Sequence, residues 1–230
     1  MRTNSNPNVA LIASLVSEPS RAAMLTALLD GRFHPASELA NMAGIKPQTA
    51  SFHLAKMVEA NVIIFEKHGR HRYYGIRDST VAQTMESLLA LAPPVEIKSL
   101  RQATEDQAIR WARTCYDHLA GNVGVQLTDS LKQRGIIQET NEGFAVTESG
   151  EAFFESLQIN IAQVKKKRRS FSHKCLDWSE RRHHLGGALG NALLDRLVEL
   201  QWVQRVPKTR AVSITSEGKQ GLKETFSIDI

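Results

Sequence analysis

The sequence predicts an α+β protein, mainly α with small β-hairpins, on three observations. Apolar residues recur at three- and four-residue spacing through much of the chain, the period of a half-buried helix. Short runs such as VIIFEKHGRHRYYGI alternate instead, with β-branched and aromatic residues about a glycine turn, which marks a hairpin. The C-terminal half also matches itself, at an offset of 66 residues that lengthens by two in the later hairpin, so one small unit is expected twice.

Val9 to Val16 and Pro19 to Leu29 read as amphipathic helices, the second with Met24, Leu25, Leu28 and Leu29 at helical spacing and Asp30-Gly31 as its stop. A short helix fits Ala36 to Met42. Ala43-Gly44-Ile45 then makes a tight turn, because glycine takes a positive φ without steric cost. Pro47 suits the first turn of the next helix, whose early N–H groups lack partners anyway. There Ala50, Leu54, Met57 and Val58 share one face, leaving Gln48, Thr49, Ser51, Phe52, His53 and Lys56 for the others. A helix that only coats a core shows Glu, Lys and Arg to water. The small or planar hydrogen-bonding groups of QTASFHLAKM suit a surface that reads something. The hairpin that follows has the tip Lys67-His68-Gly69-Arg70-His71-Arg72, dense in positive or titratable groups. Asp78 opens a helix to about Leu91, stopped by Pro93-Pro94.

With 230 residues, 42% of them hydrophobic, the chain is long enough for two domains, expected at 1–94 and 95–230. A net charge of +5 suggests a polyanionic partner. No run approaches the roughly 18 apolar residues of a membrane helix, and MRTNSNPNVALIASLVSEPSR lacks the pattern of a signal peptide, so a cytoplasmic location without membrane partners is expected. Two cysteines are too few for a disulfide framework and are expected as thiols.

Helix, helix, turn, helix, basic hairpin, helix is the order of a winged helix-turn-helix, in which the second helix of the pair enters the major groove and the wing touches backbone. Ser51-Phe52-His53-Leu54, the Gly69-Arg70 wing and Tyr73-Tyr74 make the likeness specific: residues 8–92 resemble the DNA-binding region of the ArsR family of bacterial transcriptional repressors. The resemblance implies binding to double-stranded DNA as a homodimer, with the N-terminal and Asp78 to Leu91 helices at the dimer seam. Gln48, Thr49, Ser51 and His53 are expected at base edges or adjacent phosphates, and Lys46, Lys56, Lys67, Arg70 and Arg72 at the backbone. The family's two familiar metal sites are missing, since ELANMAG holds no thiol and SLLALAPPVE no histidine.

In the second half HLAGNVGVQLTDSLKQRGIIQ lines up with HLGGALGNALLDRLVELQWVQ, pairing His118 with His184, Gly124 with Gly190 and Asp129 with Asp195. Each copy, about 115–160 and 175–230, reads as helix, hairpin (GIIQETNEGFAVT and WVQRVPKTRAVSIT), helix, a degenerate winged-helix unit. Two such copies are expected to pack about a pseudo-twofold axis. The run Lys165 to Arg169 before the second copy suits phosphate or a solvated linker.

Cys115 and His118 lie three apart, which places them on one face if RWARTCYDHLAG is helical; Cys175 and His184 fall in the corresponding region, although Cys175 does not align with Cys115 position for position. If the histidines approach across the axis, two thiolates and two imidazoles suit a soft metal or metalloid ion. Other readings are a thiol sensor, an effector near Trp111, Tyr116, Trp178 and Arg181, or buried cysteines with no signal. No P-loop, GxSxG or zinc-protease helix is present, so no enzyme is expected. The function expected is a sequence-specific DNA-binding transcriptional regulator, a repressor released by a ligand, metal or thiol signal sensed in the C-terminal half. The competing class is a protein interaction scaffold.

Overall fold

The computed structural model describes residues 6–230 and forms two compact units, one ending at Met85 and one running from Glu86 to Ile230. Residues 1–5, the start of the segment searched for a leader, lie outside the described residues. No helix among the described residues is long and apolar enough to cross a membrane.

The first unit runs α1 (Val9–Val16), α2 (Pro19–Leu28), β1 (His34–Pro35), α3 (Ala36–Met42), α4 (Pro47–Glu59), β2 (Ile63–His68), β3 (His71–Ile76), and the first part of α5 (Ser79–Leu91). Side chains start the helices as a capping argument requires: Asn8 accepts from the Leu11 N–H, Glu18 from those of Ser20 and Arg21, and Asp78 from that of Val81. Between α3 and α4, Gly44 takes φ +66°, and the Ile45 N–H then returns to the Ala40 carbonyl at 2.9 Å. Met24, Leu25, Leu28, Leu39, Leu54, Met57 and Ile63 are fully buried and fix α2, α3 and α4 to the antiparallel sheet, whose order is β1-β3-β2. This is a winged helix-turn-helix, with β2 and β3 as the wing. The short β1 was not predicted, two residues being too few for a periodic signal.

β1 depends on a buried charge cluster. His34 is 3% exposed, with Nε2 2.8 Å from Asp30 and Nδ1 3.0 Å from Glu38. Burial acts to lower the imidazole's pKa, but the two carboxylates outweigh it and raise the net value; Asp30, buried yet bonded to His34 and Arg32, is lowered. A raised histidine stabilises below its unfolded value and loses that contribution as pH rises through the folded one; a lowered aspartate stabilises above its unfolded value and loses that as pH falls. His34→Gln should therefore destabilise the first unit most between about pH 4 and 6.5, the two unfolded values. Urea unfolding followed by histidine NMR across pH checks this; an equal effect at pH 9 would remove the ionic account.

The second unit opens with the rest of α5 and α6 (Leu100–Trp111). Then β4 (Arg113–Cys115), β5 (His118–Ala120), α7 (Gly121–Gln133), β6 (Ile137–Glu139), β7 (Phe144–Val146) and α8 (Glu148–Ser156) form one run. After α9 (Ile161–Lys165) the same order returns as β8 (His173–Leu176), β9 (His183–Gly186), α10 (Gly187–Glu199), β10 (Val203–Arg205), β11 (Val212–Ile214) and α11 (Ser216–Phe226). Each run contributes two antiparallel pairs. Thr147 caps α8 and Thr215 caps α11 in the same way, each hydroxyl oxygen accepting from the N–H of the glycine three residues on.

The element order corrects the expected helix, hairpin, helix: a short hairpin precedes the first helix of each run, and His118 and His184 stand on strands. One apolar core holds the runs together, with Val123, Leu127, Leu131 and Phe154 of the first against Leu189, Leu193, Leu197, Leu222 and Phe226 of the second. Packing is crossed, α7 lying on β9 and α10 on β5.

Candidate nucleic-acid interface and a buried thiol–imidazole cluster

α4 is clamped by its inner face. Ala50, Leu54 and Met57 are fully buried, and opposite them Gln48, Thr49, Ser51 and Lys56 stand exposed. The Ser51 hydroxyl donates to the Pro47 carbonyl at 2.9 Å, which leaves its lone pairs for an outside donor. Phe52, not named as a contact from sequence, is 59% exposed on this surface, with the Lys56 ammonium 4.4 Å from its ring centre. Exposed aromatic area between hydrogen-bonding neighbours was the available signal.

His53 is a correction. It is 9% exposed, its Nδ1 3.2 Å from an Arg21 guanidinium nitrogen and its Nε2 3.5 Å from Glu18. Arg21 also donates to the carbonyls of Leu15 and Ser14. His53 therefore ties α4 to the start of α2, at the buried margin of the reading surface. Five residues after Gln48, it lies about 140° round the helix from that residue, beyond Thr49 at the edge of the exposed face.

Lys46 lies exposed just before α4, and the wing carries exposed Lys67, Arg70 and Arg72. Lys67 stands opposite Arg72 in the β2–β3 register, and Arg72 lies 4.8 Å from the centre of the Phe65 ring, which holds the cation up along the wing. Glu66 bonds His68 at 3.2 Å. An uncharged hydrogen-bonding helix face with cations on the wing is suited to base edges and phosphates respectively.

In the second unit the chain brings Cys115, His118, Cys175 and His184 together, all buried, with one donor atom from each within 4.8 Å of all the others. The helical placement of Cys115 and His118 is corrected: they face each other across the β4–β5 hairpin, joined by the turn Tyr116-Asp117, where Tyr116 takes φ +59°. Cys175 and His184 face each other in the same way across β8–β9. The two cysteines thus occupy equivalent places, and the extra residues that spoil their linear alignment lie in the longer β8–β9 loop.

Sγ of Cys115 is 3.6 Å from Sγ of Cys175, and the two Nε2 atoms of His118 and His184 are 3.1 Å apart. Behind each imidazole stands a carboxylate, Asp117 at 3.3 Å from Nδ1 of His118 and Asp177 at 3.3 Å from Nδ1 of His184. Sequence reasoning missed both, although Asp117 directly precedes its histidine. Each carboxylate is in turn paired with a guanidinium, Asp117 with Arg169 and Asp177 with the fully buried Arg113 at 2.9 Å. Burial would raise Asp177, but His184 and Arg113 hold it well below the usual carboxylate range. The Cys115 thiol is pushed up by its hydrogen bond to Cys175 and by burial.

The surroundings leave less to the other candidates. Trp178 stacks with Arg113, 4.3 Å from the ring centre, and Arg181 donates to the Ala90 carbonyl. Of the basic run, Lys165 meets Glu151, Lys167 meets Asn191 and Arg169 meets Asp117, so those three have partners within the fold. Trp111 lines an open surface hollow with Arg110, Asn122 and Glu180.

Residues 16–64 match the model of a helix-turn-helix domain. Over 225 residues the chain is 53% identical to the protein described as the uncharacterized HTH-type transcriptional regulator YdfF of Bacillus subtilis (strain 168), covering 98% of this chain and all of the relative. Among solved structures, the cadmium metal-sensor CMTR of Mycobacterium tuberculosis is 27% identical over 39% of this chain and 93% of its own, with a TM-score of 0.32. HlyU of Vibrio cholerae is 22% identical over 40% of this chain and 97% of its own, with a TM-score of 0.35.

Proposed function

From the premise that the chain belongs to the helix-turn-helix transcriptional regulators, given its 53% identity to a relative matched along its whole length, we propose that it is a sequence-specific repressor. It binds double-stranded DNA as a homodimer and is released by a signal sensed in the second unit. The observation that carries the DNA reading is the two-sided character of α4. Its apolar side and His53 are locked into the unit, while Gln48, Thr49, Ser51 and Lys56 are left in water near a wing that bears Lys67, Arg70 and Arg72. Gln and Thr supply donors and acceptors to base edges in the major groove, and the cations displace counterions from phosphate. One recognition helix spans only a short half-site, so a dimer is needed for specificity. The homodimer is further supported by apolar side chains left in water, Val9 at 73% and Leu11 at 48% on α1, and Leu91 at 83% on α5.

A mobility-shift titration with DNA from upstream of the gene tests this. Gln48→Ala with Thr49→Ala should lose about 30-fold or more on the specific site and little on unrelated DNA, at roughly 1–3 kcal/mol for each of the two base-reading contacts. Arg70→Ala should weaken both and reduce the salt slope by about one. Equal losses on every sequence for the α4 double variant would remove α4 from the reading role. Failure of the wild-type chain to retain any duplex would favour a protein interaction module instead.

A further inference from the structure

We propose that Cys115, His118, Cys175 and His184 hold one tetrahedral divalent ion of the zinc class, and that this ion is the signal of the second unit; the latter clause rests on the repressor reading above. The four donors come from two hairpins in equivalent places, one cysteine and one histidine from each run.

The donor geometry already approaches a tetrahedron. With metal–sulfur bonds of about 2.3 Å and metal–nitrogen bonds of about 2.0–2.1 Å, tetrahedral edges are near 3.8 Å between sulfurs and 3.3 Å between nitrogens. The observed 3.6 and 3.1 Å are each about 0.2 Å shorter than these edges, and no donor pair exceeds 4.8 Å. An ion at the centre draws in the longer cysteine–histidine edges and spreads the two short ones slightly.

The imidazoles give an independent reason. A carboxylate faces Nδ1 of each ring, which favours an N–H on that side and leaves Nε2 as the atom that faces the other donors. The two Nε2 atoms converge at 3.1 Å, a distance that requires a proton or a cation between them. In the metal-free site a proton on one Nε2 bridges the pair, and a cation bound by both takes the place of that proton. The same arrangement of carboxylate, histidine and metal orients ligands in zinc sites generally.

Charge selects the divalent class. The carboxylates acting on the cluster are each matched by a guanidinium: Asp117 by Arg169, Asp177 by Arg113, and Glu86 by Arg210 at 2.5 Å. On binding, each thiol gives its proton to solvent, and the two thiolates, two neutral imidazoles and one divalent ion sum to zero. A monovalent ion would leave a negative charge in a site where the ligand residues are at most 8% exposed. Four protein ligands with no position left for substrate make the site a closed one, as in structural and regulatory zinc centres. Because the ligands come from both runs, the ion links them, and its link to α5 is short. Cys115 follows Thr114, whose N–H donates at 2.9 Å to the carbonyl of Arg210, the residue paired with Glu86 on α5.

The test uses the full chain purified in reductant, stripped with a chelator and titrated with Co²⁺ and then Zn²⁺. One equivalent per chain is expected, with the intense visible bands of four-coordinate cobalt, a thiolate charge-transfer band, and displacement by zinc. Cys175→Ser and His184→Gln should each weaken binding about tenfold or more, and Asp117→Asn by about 10- to 100-fold while keeping all four ligands. His183→Gln, an exposed neighbour, should change nothing. Should a ligand variant fail to fold, the wild-type cobalt spectrum and Asp117→Asn decide. Less than half an equivalent of metal, a spectrum without thiolate bands, or undiminished affinity in Cys175→Ser overturns the site, as does a Cys115–Cys175 disulfide in protein that takes up no metal after reduction.

Metal binding is read without DNA, so the two readings fail separately. The stripped and zinc-loaded chains should differ about tenfold or more in affinity for the upstream DNA, the usual scale of allosteric coupling. Equal affinity overturns the sensing clause and leaves the repressor standing. Absence of DNA binding in both forms, with zinc binding intact, overturns the repressor reading and the sensing clause and leaves the metal site.

Discussion

Arg113→Met is expected to destabilise the second unit by about 3–5 kcal/mol, the cost of removing one partner from a buried ion pair. Arg113 is fully buried, its guanidinium 2.9 Å from Asp177 and 3.0 Å from the Ser179 hydroxyl, with the Trp178 ring alongside. Methionine fills much of the volume but leaves the Asp177 carboxylate, itself 0% exposed, without a countercharge. Asp177 cannot turn outward, because it accepts from the N–H groups of Gly121 at 2.7 Å and Ser179 at 2.9 Å and faces His184. All three tryptophans, Trp111, Trp178 and Trp202, belong to the second unit, so tryptophan fluorescence during urea unfolding reports that unit alone. A loss below about 1 kcal/mol, the scale of an exposed pair, would show that water reaches Asp177.

Gly190→Ala is the second large effect. A Cβ there would stand 2.3 Å from the Leu185 carbonyl oxygen and 3.1 Å from Cβ of His118. Backbone cannot yield as a flexible side chain can, so α10 must lift from β5 and β9 at a cost of about 1–3 kcal/mol or more. Gly124 holds the matching place in the first run, where a Cβ would meet the Leu119 carbonyl at 2.6 Å, and Gly124→Ala should behave alike. Lifting α10 also moves His118 relative to His184. Gly190→Ala should therefore broaden and shift the NMR signals of both imidazoles. An unchanged unfolding midpoint together with unchanged imidazole signals would refute the close approach.

The two units were not equally legible. In the first, periodicity, Gly44, Pro47 and the alternating hairpin are local signals, and each element except the two-residue β1 formed where its own residues favoured it. His53 misled because a histidine beside exposed Thr49 and Ser51 looks solvent-facing, whereas its partners Glu18 and Arg21 lie more than thirty residues earlier. In the second unit the offset between His118 and His184 was visible, yet β4, β5, β8 and β9 were not. Strands of three or four residues are too short to carry a period, and Cys115 to His118 fits a helical spacing and a two-residue hairpin equally well.

The sequence by itself determined the helix-turn-helix and its wing, the outward polar face of α4, and the pairing of one segment with another 66 residues on. Those are properties of local pattern and of self-comparison, which need no coordinates. Only the tertiary structure decided that His53 is a strut, that Cys115 and Cys175 are equivalent, and that four donors from two hairpins converge with Asp117 and Asp177 behind them. Convergence depends on the crossed packing of α7 on β9 and α10 on β5, which the buried apolar faces of both runs create together. No contiguous stretch of the chain contains it.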